Sequence, residues 1–201
     1  MSCAFHDPEM PPFQLAELPV DHPPSRLLRN FLSLIKACPC SHSLGDDAVI
    51  RKALDAAGLT SVIAHRLSYK ANVMTIIVVP GSIWREPLPM LRIRAIKRER
   101  HGNNRRTCII PKSVVHRQPR LSNSQYISNA AQVWVPPEDR MAVLLHLIEN
   151  GYSTVIDCAR EVKSAPPVAA VFQMISDGTL MIDLDKPILP HSRIDLISVQ
   201  D

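Results

Sequence analysis

Residues 135–197 read VPPEDRMAVLLHLIENGYSTVIDCAREVKSAPPVAAVFQMISDGTLMIDLDKPILPHSRIDLI, and this stretch decides the fold of the C-terminal part. Pro136-Pro137 begin a predicted helix, and Gly151 has the conformational freedom that the residue after a helix often needs. Residues three and four apart share a helix face. The apolar face of this helix is therefore predicted to hold Met141, Leu144, Leu145 and Ile148.

Two further helices and a hairpin follow along the chain. Ser153 is suited to cap a short helix with inner residues Val155, Ile156, Ala159 and Val162. Pro166-Pro167 begin a third helix, whose stripe is Val168, Val171, Phe172 and Ile175 and which Gly178 ends. Extended runs at 179–184 and 188–197 flank a turn at Asp185-Lys186-Pro187. This order predicts a winged helix-turn-helix module at residues 135–201.

The N-terminal part begins with a predicted tail. Six of the eighteen prolines fall in residues 1–24, where large aliphatic residues are few, so we expect a disordered Pro-rich tail there. A helix is predicted from Ser25 until Cys38-Pro39 breaks it. A second helix is predicted over 46–57, with Asp46 and Asp47 at its positive end and Gly58 closing it.

Strand patterns dominate the next segment. They predict strands at 60–67, 73–79, 88–96 and 107–115, where Pro111 favours an edge position for the last. Residues 119–134 are polar and poorly periodic, which indicates a linker. The predicted fold is α+β (mixed): a helix-flanked small sheet domain at 25–118, the linker, and the winged-helix-like module.

Composition places the chain among soluble, cytoplasmic proteins. No apolar run reaches the roughly 18 residues of a membrane span, and the start lacks the pattern of a signal peptide. Five scattered cysteines indicate reduced thiols. The segment Cys38-Pro39-Cys40-Ser41-His42 offers three zinc ligands, but a structural site needs four and no second pair follows. No cofactor is predicted.

The net charge of +4 is divided sharply along the chain. Residues 1–91 hold eight basic and eight acidic residues, and residues 121–201 hold five basic and ten acidic residues, a net −5. Residues 92–120 carry one glutamate and ten basic residues: Arg92, Arg94, Lys97, Arg98, Arg100, Arg105, Arg106, Lys112, Arg117 and Arg120. Such a concentration favours phosphate contacts with nucleic acid, and we expect duplex DNA. A solvated charged surface or an acidic protein partner would also explain it.

The predicted third helix argues against sequence reading by the C-terminal module. A DNA-reading helix presents Arg, Lys, Asn or Gln to the bases, whereas residues 166–176 offer only Gln173. We therefore expect the acidic module to dock a protein partner or to self-associate, and we expect the basic segment 92–120 to hold DNA.

One string imitates catalytic chemistry. Asp157 with Glu161-Val162-Lys163 resembles the end of the Asp…Glu-x-Lys metal site of nucleases. It falls in a predicted helix, where Glu161 and Lys163 point in different directions. We attribute the match to coincidence and predict no catalytic or metal-binding residue.

The layout of the whole chain resembles that of the TnsA-like endonuclease subunits of heteromeric transposases. The resemblance rests on SHSLGDDAVIRKALDAAGLTSVIAHRLSY (41–69), the strands that follow, and the ending MISDGTLMIDLDKPILPHSRI (174–194). It implies a metal site built from a helix glutamate, a strand aspartate and a Glu-x-Lys. Asp46 or Asp47 would take the first position, the strand 73–79 has no aspartate, and Ala95-Ile96-Lys97 lacks the glutamate.

These observations favour a non-catalytic nucleic-acid-associated protein, either a regulator or an accessory factor of a mobile element. Two alternatives remain: a metal-dependent transposase-type nuclease subunit, active or decayed, and a protein-interaction adaptor without nucleic acid. Carboxylates converging on Lys97 would favour the nuclease. A basic segment lying against an acidic surface of the same molecule would favour the adaptor.

Overall fold

The computed structural model describes residues 25–38, 40–69, 72–101 and 106–197. The predicted tail at 1–24 lies outside the described residues. The elements follow one another as α1 (Arg26–Lys36), β1 (Ser41–Asp46), α2 (Ala48–Ala56), β2 (Ile63–Tyr69), β3 (Asn72–Val79), α3 (Gly81–Trp84), α4 (Pro87–His101), β4 (Arg106–Pro111), α5 (Lys112–Val115), α6 (Arg120–Ala130), α7 (Pro137–Asn150), β5 (Ser153–Thr154), α8 (Val155–Arg160), α9 (Pro167–Ser176), β6 (Leu180–Ile182) and β7 (Arg193–Leu196). The predicted α+β class is confirmed.

The N-terminal unit is built on a four-stranded mixed sheet in the order β1-β2-β3-β4. The strands β1, β2 and β3 are antiparallel neighbours, and β4 runs parallel to β3. Helix α4 makes the crossover that a parallel pair requires. Because Pro111 ends β4 at the sheet edge, the predicted edge position is confirmed.

Both faces of this sheet are covered by helices. Residues of α2 and α4, such as Leu54 and Ile93, pack on one face against Ile77 and Val79. Phe31 and Ile35 of α1 pack on the other face. Alternate residues of β3 thus enter two separate cores, so this strand is covered on both sides.

Local signals located most helix ends correctly. The side chain of Ser25 accepts the Leu28 N–H at 3.2 Å and caps α1. Asp47 caps α2 in the same way, so this helix begins two residues later than predicted, and Asp46 belongs to β1. The β1 strand was not predicted, because its sequence SHSLGD is polar and contains glycine.

The C-terminal unit has the predicted order of three helices and a hairpin. Helix α7 ends at Gly151, whose φ of 75° suits glycine. The strands form a small sheet in the order β5-β7-β6. Thr154 rather than the predicted Ser153 caps α8, because the helix begins at Val155 and the Thr154 hydroxyl accepts the Asp157 N–H. The winged-helix interpretation of this unit stays a prediction.

Three segments contradict the sequence-based prediction. Residues 112–115, predicted as the end of a strand, form α5. Residues 88–96, predicted as a strand, belong to α4. Residues 119–134, predicted as a linker, contain α6, whose buried residues are Leu121, Asn123, Ser124, Ile127 and Ala130. Asn123 and Ser124 are polar, which weakened the apolar period of α6, but both form hydrogen bonds inside the fold. None of the described helices has the length and apolarity that a membrane span needs.

Candidate nucleic-acid interface

Helix α4 carries most of the predicted basic site, and its sequence suits two structures. Leu91, Ile93 and Ala95 alternate with arginines, as in a half-exposed strand. Met90 and Ile93, however, are three residues apart, and in a helix they share the face that packs on α2. Pro87 is favourable in the first helical turn, and arginine, leucine and lysine are good helix formers. The helix leaves Leu88 and Leu91 exposed.

Three cations of α4 lie beside one another. Arg94, Lys97 and Arg98 line a cavity of about 440 Å³ together with Ile109 of β4. Their spacing of three and four residues places them on neighbouring turns of the same side. Arg94 and Arg98 are exposed, and Lys97 is half-buried. These three residues define what we call the α4 groove.

The α4 groove is electrostatically unbalanced. None of its three cations forms a salt bridge with an acidic residue of the described chain. Like charges at positions i and i+4 of a helix repel, so Arg94 and Arg98 destabilise α4 by a few tenths of a kcal/mol. The helix dipole favours cations in the last turn, which explains Arg98 better than Arg94. An anion between them would relieve the repulsion.

The groove continues toward the start of α4. Arg94 also borders a cavity of about 420 Å³ that is lined by Trp84 and Arg85. Trp84 is 39% exposed, which leaves its ring accessible for stacking. Sequence reasoning had missed these two residues. The signal was available, since an aromatic and a basic residue are adjacent just before the basic segment.

The other predicted basic residues do not join this groove as a set. Arg92 donates to the Ala57 carbonyl at 3.3 Å. Arg106 begins β4, and Lys112 lies on α5, where both are exposed. Arg100 belongs to the last turn of α4, and Arg105 lies outside the described residues. Gly102, Asn103 and Asn104 are outside them as well.

Arg117 and Arg120 are paired with the acidic hairpin instead. Arg120 makes two hydrogen bonds to the Asp185 carboxylate, at 3.0 and 2.8 Å, and Arg117 approaches it to 3.9 Å. The Arg120 hydrogen bond holds the pKa of Asp185 below its ordinary value. Asp185 therefore offsets the charge of Arg120, and Arg117 lies at the edge of the same contact, so these two arginines face the acidic hairpin and not the groove on α4.

The third helix of the C-terminal unit offers little to a base. The Gln173 side-chain carbonyl accepts a hydrogen bond from Arg140 at 2.8 Å, and the same guanidinium contacts Asp177 at 2.6 Å. The one side chain of α9 that sequence analysis considered a possible base reader thus serves an internal network.

Two of the carboxylates considered for nuclease chemistry have structural roles. Asp47 accepts the Ile50 N–H at 3.1 Å and the Thr75 hydroxyl at 2.8 Å. Asp157 accepts from Arg160 at 2.8 Å. The Ala95–Lys97 segment lies on α4 rather than on a strand. Within the described ranges, no three His, Cys, Asp or Glu side chains are grouped so that they could hold a metal ion.

Comparison with known proteins does not identify a family for this chain. The sequence matches no protein-family model, and it is similar to no curated protein.

Proposed function

We propose that this protein binds the phosphate backbone of duplex DNA along the α4 groove without cleaving it, as a regulator or an accessory factor of a mobile element. The observation that carries the proposal is the meeting of Arg94, Lys97 and Arg98 around one cavity without an acidic partner among the described residues. Arginine forks suit phosphate oxygens, and adjacent cations gain when an anion lies between them.

The distribution of ion pairs favours DNA over the adaptor alternative. An adaptor's basic segment would lie against an acidic surface of the same chain. Arg117 and Arg120 do so through Asp185, but the α4 groove does not. We place the protein in the cytoplasm, where DNA is accessible in cells without a nucleus, and where Cys38, Cys40, Cys108 and Cys158 would remain free thiols.

The second part of the proposal is that the C-terminal unit docks a protein partner. Met141, Leu145 and Ile148 are 54%, 50% and 66% exposed along one side of α7. Three adjacent apolar side chains in water, on a unit of net charge −5, favour contact with protein rather than DNA. Docking requires that this stripe add little to the stability of the chain, and a large destabilisation on replacing Leu145 would contradict it.

The DNA proposal is tested by binding to a generic duplex, measured by fluorescence anisotropy over a range of salt concentrations. The variant is Arg94→Gln, Lys97→Gln and Arg98→Gln combined. Each lost phosphate contact should flatten the slope of log affinity against log salt by about 0.9, or about 2.7 for three. The loss should be similar for unrelated sequences, because phosphate contacts carry no sequence information.

A matched control removes the same charge from the opposite face of the sheet. Arg26, Arg29 and Lys36 are exposed on α1, and replacing all three by glutamine should change the slope far less. If both variants lost the same DNA affinity, the effect would come from net charge alone, which would contradict a specific role for the α4 groove. Gln173→Ala should bind normally, and a loss of sequence preference in that variant would assign DNA reading to α9.

A further inference from the structure

A serine, a histidine and an aspartate lie close together at the β1 edge of the sheet, in an arrangement that could activate the serine. The Ser43 hydroxyl oxygen lies 2.8 Å from Nε2 of His65 on β2. The other ring nitrogen, Nδ1, lies 3.5 Å from a carboxylate oxygen of Asp46. The order hydroxyl, imidazole, carboxylate is the one that nucleophilic serine catalysis uses.

A break in the β1 strand makes this meeting possible. Residues three apart on a regular strand point to opposite faces, so Ser43 and Asp46 could not both face His65. The register of β1 shifts between Ser43 and Gly45, so that Ser43 is opposite Leu67 and Asp46 is opposite His65. Gly45 adopts a φ of 89°, which suits the glycine of a bulge. The bulge turns both polar side chains toward His65.

The imidazole of His65 is held in a defined place. His65 is 4% exposed, and the ring of Phe31 meets it at 84° with the centroids 5.8 Å apart. Its Nδ1 atom is buried and has no hydrogen-bond partner. The carboxylate of Asp46 is 52% exposed, so a shift of a few tenths of an ångström would bring it into hydrogen-bond range. That bond would fix the proton on Nδ1 and leave the Nε2 lone pair to accept from Ser43.

We propose that Ser43 is a nucleophile toward small activated acyl esters, with His65 as its general base and Asp46 as a positioning residue. The Ser43 oxygen bonds to the acyl carbon as its proton passes to Nε2 of His65, and the ester C–O bond then breaks as His65 gives that proton to the oxygen of the leaving alcohol or phenol. Water then attacks the acyl-serine, so that the carboxylic acid leaves and Ser43 regains its proton. Ser43 is exposed on an edge strand, which favours small substrates that need no deep cavity.

This activity is separate from DNA binding, because β1 and β4 form opposite edges of the sheet. The test is reaction of the full chain with p-nitrophenyl acetate and with a fluorophosphonate, in which the serine oxygen replaces fluoride on phosphorus. We expect intact mass to show one phosphonyl group, and peptide mapping to place it on Ser43. Ser43→Ala should abolish both this adduct and the release of p-nitrophenolate above background. Ser82→Ala, at an exposed serine on α3, should react as the wild type does.

The roles of the other two residues are tested by rates of labelling. Asp46→Asn changes an exposed side chain, so the fold should survive. Labelling should slow by at least about tenfold, which is less than the roughly hundredfold lower end of general-base contributions because Asp46 acts only through His65. Asp46→Glu should recover part of the rate. His65→Gln should abolish labelling. If that variant fails to fold, the labelling rates of Asp46→Asn and Asp46→Glu test the proposal instead. Labelling spread over several serines, or an unchanged rate in Asp46→Asn, would overturn the proposal.

Discussion

At the scale of single residues, Asp139 shows how one buried charge is stabilised. Asp139 lies in the first turn of α7 and is 2% exposed. Its carboxylate accepts the backbone N–H groups of Lys163, Ser164 and Ala165 at 3.0, 3.0 and 3.2 Å. The Lys163 amide is the largest cause that holds the pKa of Asp139 below its ordinary value, and burial opposes it. The charge therefore ties α7 to the connection between α8 and α9.

The lowered pKa of Asp139 predicts a definite pH dependence. The unfolded state binds the proton more tightly, so this stabilisation is complete above the unfolded pKa of about 3.9 and disappears as the pH falls through the lower native pKa. Asp139→Asn should lower Tm by at least about 3 °C at pH 7. Thermal unfolding of both proteins from pH 7 to pH 3 should show the difference constant above about pH 5 and shrinking below about pH 4. A difference that persists unchanged at pH 3 would contradict the assigned role.

At the scale of elements, α7 has two apolar faces, and only one is buried. Val143 and Leu147 are fully buried, whereas Met141, Leu145 and Ile148 on the opposite side are exposed. Three of the four residues of the predicted apolar face therefore lie on the outer side, and the fourth, Leu144, packs against the core. Both faces repeat every three or four residues, so periodicity cannot choose between them. The Asp139 carboxylate accepts three hydrogen bonds from backbone N–H groups, and these hold the helix with Val143 and Leu147 facing inward.

A pair of neighbouring leucines tests this orientation. Leu147→Ala should lower the free energy of unfolding by about 2–5 kcal/mol, because it opens a cavity in the core. Leu145→Ala should change it by less than about 0.5 kcal/mol, because the side chain is half exposed and packs little. Urea denaturation of both variants measures the difference. Similar losses at the two positions would mean that the outer face of α7 is covered in solution.

At the scale of the whole molecule, α6 joins the two units. It packs against α1 on one side and α9 on the other. Ile127 of α6 and Ala37 after α1 belong to the same core as Leu147 and Met174. Asn123 also donates to the Leu184 and Lys186 carbonyls at 2.9 and 2.7 Å. A helix with these contacts couples the units instead of separating them.

This coupling predicts one cooperative unfolding transition for the chain. Calorimetry should give a single peak with equal calorimetric and van't Hoff enthalpies. Ile127→Ala should move the whole peak down by roughly 5–15 °C, which corresponds to a cavity cost of about 2–5 kcal/mol. Two peaks, or a shift of only part of the transition, would show that the units fold independently and that 119–134 behaves as the predicted linker.

Features that depend on residues within one or two turns of chain could be predicted from the amino-acid sequence alone. Ser25, Gly58, Gly151 and Gly178 mark helix ends, because capping and positive φ are local requirements. The apolar run of β3 is typical of a strand covered on both faces, and residues 77–79 at its end are buried in this way. The concentration of cations between 92 and 120, and hence the region of the candidate site, was also readable from the chain alone.

Features that depend on residues far apart in sequence could be seen only once the packing of the folded chain was known. Ile93 buries against Leu54, and this contact selects helix over strand for α4. Asp185 pairs with Arg120, and more distantly with Arg117, from more than sixty residues away, so the candidate basic site is confined to the α4 groove. Ser43 and His65, which are 22 residues apart, meet because of a shift in strand register. Such choices depend on which surfaces pack together, and local patterns that fit two structures do not contain that information.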